Sequence, residues 1–157
     1  MNPPAAQPPQ HLPIEARWCL DATAQQPGLS AGPCIALEVA RTQQQQSWGL
    51  MGRPPLAPLQ GMWFPYNQPQ VLKFWMHRTP APLDMLFIRD GRVIAVEAGA
   101  TPCPRLPCRS YGPDTPATSV VELAAGEAQR LGIGVGNNAI IRPFTPPTAG
   151  PAAPAPD

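Results

Sequence analysis

The chain has 157 residues, enough for one domain, and a formal net charge of +1 with only 13% charged residues. Its cations are one lysine, Lys73, and scattered arginines, with no basic stripe of the kind that nucleic-acid binding by counterion release requires. No apolar run approaches the roughly 18 residues of a membrane span, so no transmembrane segment and no nucleic-acid partner are expected.

Proline is abundant, 25 residues in all, and unevenly spread. Met1–Pro13 and Thr145–Asp157 hold five each and have no apolar period. Neither can bury enough surface to offset its ordering entropy, so both read as disordered Pro-rich tails around one domain over residues 14–144. The N-terminus lacks the basic start and apolar stretch of a signal peptide, which keeps a cytoplasmic location open.

In chain order, Ile14–Leu20 and Cys34–Ala40 read as strands, the second with Ile35, Leu37 and Val39 on one face. Thr42-Gln43-Gln44-Gln45 reads as a capping box opening a short helix over 43–51, with Trp48 and Met51 toward the core. Gly61–Phe64 and Val71–Met76 are short apolar strands. Leu83–Arg89 and Arg92–Ala98 are β-rich runs joined by Asp90-Gly91, the signal of a type I′ hairpin. Ser119–Leu123 is a strand, Gly126–Leu131 a short helix closed by Gly132, and Asn138–Arg142 a last strand. The pattern shows no βαβ alternation and no internal repeat. It predicts an α+β, mainly β domain.

Four cysteines punctuate this pattern. Cys103-Pro-Arg-Leu-Pro-Cys108 resembles a small closed loop whose prolines favour a turn, and a hairpin of the first two strands would let Cys19 face Cys34. Disulfides Cys103–Cys108 and Cys19–Cys34 point to an oxidising, extracytoplasmic compartment such as the periplasm. Reduced thiols in the cytoplasm are the alternative. Zinc finds no C-x-x-C and only His11 and His77 to complete a site, so no metal is expected.

Further strings then fall into a recognisable order. Glu38-Val39-Ala40 leads to Gly49-Leu50-Met51, Arg53 and Gly61-Met62-x-Phe64. Phe74-Trp75-Met76, Thr79, Pro82-Leu83-Asp84 and Phe87 follow. Pro102-Cys103, Pro107-Cys108 and Tyr111 come next, then Glu122-Leu123, Gly126 and Leu131-Gly132. This series resembles the bacterial and archaeal family called domain of unknown function 192, over about Ile35 to Ile141. The resemblance implies a small, barrel-like β domain, often exported or membrane-anchored, and implies no activity. Family members commonly carry Lys-Asn where this chain has His77-Arg78, so no role of that asparagine carries over.

The chemistry narrows to one polar cluster beside a stiff corner. Trp75 would face away from Phe74 and Met76, Thr79 to Pro82 would form the corner, and His77, Arg78 and Asp84 would form a polar mouth. Candidate ligand contacts are Arg53, Trp75, His77, Arg78, Thr79 and Asp84. The expected function is a non-enzymatic cell-envelope binding domain for a small polar ligand or a protein partner. Two alternatives stand: a hydrolase or carbohydrate-active enzyme using Asp84, and an accessory protein recruiting partners through its Pro-rich tails. Asp84 as a salt bridge or turn cap at a strand start, His77 as a rim residue, and Met51, Met62, Met76 and Met85 as core filler are the structural alternatives. No phosphate loop, dinucleotide fingerprint or metalloprotease motif is present, and no cofactor is expected.

Overall fold

The computed structural model describes residues 8–21 and 32–147. The outer parts of both expected tails, residues 1–7 and 148–157, lie outside the described residues. Residues 8–13 run along the domain: the Gln10 amide donates to the carbonyls of Gln45 and Gly49, and the Leu12 N–H donates to Glu38.

Among the described residues, nine strands and two short helices make an α+β, mainly β domain, as the pattern predicts. They are β1 (Ile14–Cys19), β2 (Cys34–Val39), α1 (Gln43–Trp48), β3 (Gln60–Gln70), β4 (Phe74–Trp75), β5 (Leu83–Arg89), β6 (Arg92–Ala100), β7 (Ser110–Tyr111), β8 (Ala117–Ala124), α2 (Glu127–Leu131) and β9 (Ile141–Pro143). Seven form one mixed sheet in the order β6-β5-β8-β3-β2-β1-β9, and β4 pairs with β7 in a separate two-stranded sheet.

Local chemistry accounts for much of this. Asp90 and Gly91 both take positive φ, 52° and 71°, the left-handed backbone conformation that a type I′ turn needs at both central residues to match the twist of the flanking strands. Cys19 and Cys34 are directly opposed in the antiparallel β1–β2 register, and their sulfurs are bonded. Four expectations change in detail. The strand read as Gly61–Phe64 continues to Gln70, past Pro65. Of Val71–Met76, only Phe74 and Trp75 pair, and they do so outside the main sheet. The last strand starts at Ile141 rather than Asn138. One β-α-β crossover does occur: β2 and β3 are parallel, with α1 between them.

The central strands β5 and β8 are buried on both faces. Met85 and Phe87 of β5 and Val120 of β8 enter one apolar cluster with Met62, Phe64 and Met76. Leu86, Ile88 and Val121 enter the other, with Trp18, Ile35 and Leu37. Period-two alternation thus feeds two cores from the same strands. The edges approach each other through residues 136–139, which exchange backbone hydrogen bonds with Gly91 and Val93 before the chain enters β9 beside β1. The sheet curls like a barrel, but no closed barrel forms, because β6 and β9 share no ladder.

The Cys19–Cys34 bond spans 15 residues of sequence and closes the first hairpin. Replacing both cysteines by serine is expected to lower stability by about 3 kcal/mol through the entropy returned to the unfolded chain. Urea denaturation of the oxidised protein and the variant checks this; equal midpoints would show that the strand register alone holds the hairpin.

Candidate functional site: a cavity with a buried acid

On the face of the sheet that carries Met62 and Met85, a cavity of about 430 Å³ opens between α1, β3, the small β4–β7 sheet and β8. Its walls are set by short-range interactions. Thr42 and Gln45 form a reciprocal capping box, with Thr42 Oγ1 accepting from the Gln45 N–H and Gln45 Oε1 accepting from the Thr42 N–H, both at 3.1 Å. The Gln46 amide then bolts α1 across the cavity edge by donating to the carbonyls of Ala40 (3.1 Å) and Pro65 (2.8 Å). On the opposite wall, Phe74 packs edge-on between Phe64 and Phe87, with centroids 5.2 and 6.2 Å away. Gly112, just after β7, has φ +141°, and any Cβ there would overlap the Leu72 carbonyl and press on the Phe87 ring. Glycine at this position lets the two-stranded sheet sit tight against the core.

Of the residues singled out from sequence, Trp75, His77 and Thr79 line this cavity together. Alternation separates Met76 from Trp75 as expected, Met76 being buried and Trp75 49% exposed, whereas Phe74 lines the same cavity as Trp75. The Trp75 and His77 rings lie 5.0 Å apart. His77 Nδ1 is 3.7 Å from Cys108 Sγ, so the Cys103–Cys108 disulfide loop borders the rim. The loop is anchored there by the Cys103 N–H, which donates to the Met76 carbonyl at 3.1 Å. Thr79 is buried, and its hydroxyl donates to the His77 carbonyl.

Arg53, Arg78 and Asp84 sit elsewhere. Arg53 Nη1 donates to both Glu38 carboxylate oxygens, at 2.7 and 2.8 Å, in a nearly buried pair. Arg78 is exposed with φ +56°, and its carbonyl accepts the Gly52 N–H. Asp84, 1% exposed, accepts three backbone N–H groups: Gly99 at 2.9 Å, and Gly126 and Ala128 at 3.0 Å each. Its carboxylate thereby ties β5 to β6 and to the start of α2.

A residue that sequence reasoning did not single out closes the floor. Glu122, on β8, is 4% exposed and lines the cavity. The register places it in one row across five strands: Glu38 (β2), Met62 (β3), Glu122 (β8), Met85 (β5) and Glu97 (β6). Paired residues share a face, so its immediate neighbours in the row are thioethers. Burial pushes the Glu122 carboxyl up to about 8, with no hydrogen bond or cation among the described residues offsetting it. Tyr66, across the cavity on β3, has its hydroxyl pushed up by burial and, secondarily, by the charge of Glu122. The signal that could have found Glu122 is a lone acid inside the apolar run Val120-Val121-Glu122-Leu123, between strands that are themselves apolar.

Fold and site together define a class: a curled, mixed-sheet β domain with a small side cavity and a disulfide loop at its rim. The family model for domain of unknown function 192, described as Uncharacterized ACR, matches residues 26–141, and the chain belongs to that family. A crystal structure of a protein of unknown function from Novosphingobium aromaticivorans DSM 12444 is 32% identical, with a TM-score of 0.70 over 90% of this chain and 93% of that one. Another, from Sinorhizobium meliloti 1021 and provisionally described as a transcription regulator, is 29% identical, with a TM-score of 0.66 over 85% of this chain and 98% of that one. No curated protein matches.

Two stability measurements test this reading of the acids. Because the folded-state value of Glu122 is raised, the native protein holds its proton more tightly than the unfolded chain. Its contribution is full below the ordinary value of 4.5 and is lost as pH rises to about 8. Stability is expected to fall by about 4 kcal/mol across that window on account of this group, and Glu122→Gln should remove that fall. Urea melts of both proteins at a series of pH values would read it; parallel curves would contradict it. Asp84→Ala should cost about 3–5 kcal/mol, because three buried N–H groups lose their acceptor. A loss under about 1 kcal/mol would contradict the structural role.

Proposed function

We propose that this domain binds a small polar ligand in the cavity between α1, β3, β4 and β8, and that it does so in an oxidising compartment outside the cytoplasm. The observation that carries the reading is Glu122: an ionisable carboxyl, buried in a cavity floor, with no partner among the described residues. Burying such a group costs several kcal/mol without pairing, so a fold that retains it between two methionines gains something other than stability from it. Trp75 and His77 would form the outer wall, and Tyr66 a second polar end inside. Arg53 and Asp84 would act as the frame, through Glu38 and the α2 backbone. The paired cysteines support the compartment.

Binding without catalysis is favoured by what faces what. The ring nitrogen of His77 approaches a disulfide sulfur, and the Asp84 carboxylate is fully engaged by backbone. A nucleic-acid role gains no support from the surface. Arg41, Arg53, Arg89 and Arg130 are in ion pairs, and Arg17 and Arg109 stack over Phe144 and Tyr111.

Amide NMR spectra of the oxidised protein, recorded with pools of small amines, sugars, carboxylic acids and nucleosides, test the proposal. Shifts confined to α1, Tyr66, Trp75–Thr79 and Glu122 are expected for at least one pool, and Trp75→Ala should weaken them. Shifts from no pool, or only at distant residues, would overturn it.

A further inference from the structure

Resting on that cavity reading, we infer that the ligand carries an ammonium group, which takes the place of the missing cationic partner of Glu122 among the aromatic rings of the cavity. The polar groups around the cavity fall into two sets. Three are already used within the protein. The Gln46 amide donates to two carbonyls, the Thr79 hydroxyl donates to the His77 carbonyl, and Lys73 Nζ donates to Gly112 O at 2.6 Å and pairs with Asp114 at 2.9 Å. Left without a partner among the described residues are the carboxyl of Glu122, the hydroxyl of Tyr66 and the buried Trp48 indole N–H. A neutral ligand would bond the protonated carboxyl but give it no counter-charge. A carboxylate ligand would meet an acid with the only lysine turned to Asp114.

An ammonium finds both of its usual partners. Trp48, Phe64, Tyr66, Phe74 and Trp75 all line the cavity, and ring faces attract a cation most strongly when water is excluded. Glu122 supplies the counter-charge. The charged groups on the surrounding elements do not compete for it. On the row through Glu122, Glu38 is held by Arg53, and Glu97 lies beyond Met85. On β5, Asp84 pairs with Leu123, one residue along, and so faces away, bonded to α2. Lys73 and His77 stand at the wall, the first paired and the second against Cys108.

The proton balance follows. Free Glu122 is largely protonated at neutral pH, since its value is raised to about 8. Docking of R–NH₃⁺ leaves the ammonium intact, breaks the carboxyl O–H bond and sends that proton to solvent, leaving an ammonium–carboxylate pair. Since only the ionised fraction is competent, affinity should rise about fivefold from pH 7 to pH 8. About nine-tenths of a proton should be released per ligand at pH 7.

Isothermal titration of the oxidised full chain with n-butylammonium, benzylammonium and spermidine, in two buffers of different ionisation enthalpy, reads both quantities. At least one should bind with that pH slope and proton release. n-Butanol and benzyl alcohol should bind at least tenfold more weakly. Glu122→Gln should lose tenfold or more of the ammonium affinity and all of the pH slope, with its fold checked by its urea melt. Tyr66→Phe, which leaves the carboxyl in place, should keep the slope. Binding of the alcohols as tight as that of the ammonium ions, unchanged affinity in Glu122→Gln, or no binding by any of the three would overturn the inference. The NMR pools separate the two failures: shifts at the cavity from sugars alone would end the ammonium assignment and leave the site standing, whereas shifts from none would end both.

Discussion

A carboxylate removed from water must be bonded to something or give up its charge, and among the described residues this small domain buries three, Asp84, Glu122 and Glu127, and nearly buries one more, Glu38. Three of these four are answered by the protein. Glu38 receives Arg53, Asp84 receives three backbone N–H groups, and Glu127 receives Arg130 and the Leu59 N–H. These bonds join β2 to the loop after α1, β5 to β6 and α2, and α2 to the entry of β3. Much of the fold beyond the strand ladders is held by acids that have partners. The fourth, Glu122, sits in the same sheet without one.

That contrast separates scaffold from site. The Arg53–Glu38 pair also gathers the N-terminal segment, since Leu12 donates to Glu38 and Gln10 reaches the end of α1. The helix so fixed forms one cavity wall. The hairpin and α2, fixed by Asp84, hold β5 against β8 and thus place Met85 beside Glu122. Replacing an acid with partners in this set disturbs the frame; replacing Glu122 removes a cost, because its proton or its charge has no partner to lose. The two kinds of acid are therefore expected to respond in opposite directions to neutral substitution.

The frame was largely legible in the sequence and the site only partly so. Asp90-Gly91, the Thr42–Gln45 box and the spacing of Cys19 and Cys34 each carry local information, and each appears where its chemistry predicts. β3 ran on past Pro65 because a proline at that point of the strand does not end pairing with β8, a matter of sheet position that the local string Pro-Tyr-Asn-Gln-Pro conceals. Trp75, His77 and Thr79 were visible as a cluster because they are neighbours in sequence. Asp84 drew attention as the acid nearest to them, yet its partners lie 15 to 44 residues away and turn it to the other face of the sheet. Glu122 and Tyr66 come from β8 and β3, and only the antiparallel register between those strands brings them to one cavity.

The same reasoning bears on why a buried acid at this position is compatible with the fold at all. Protonated, Glu122 is a neutral group flanked by Met62 and Met85, whose flexible thioethers adapt to an irregular neighbour. Near neutral pH the resting domain carries no uncompensated charge in its core. On the proposed reading the cost of ionising the group is deferred until a ligand offsets it; the cavity walls are held by bonds that do not involve it. On the ammonium proposal, such a site acquires its charge only on filling, which would link the affinity for a cation to the proton it displaces.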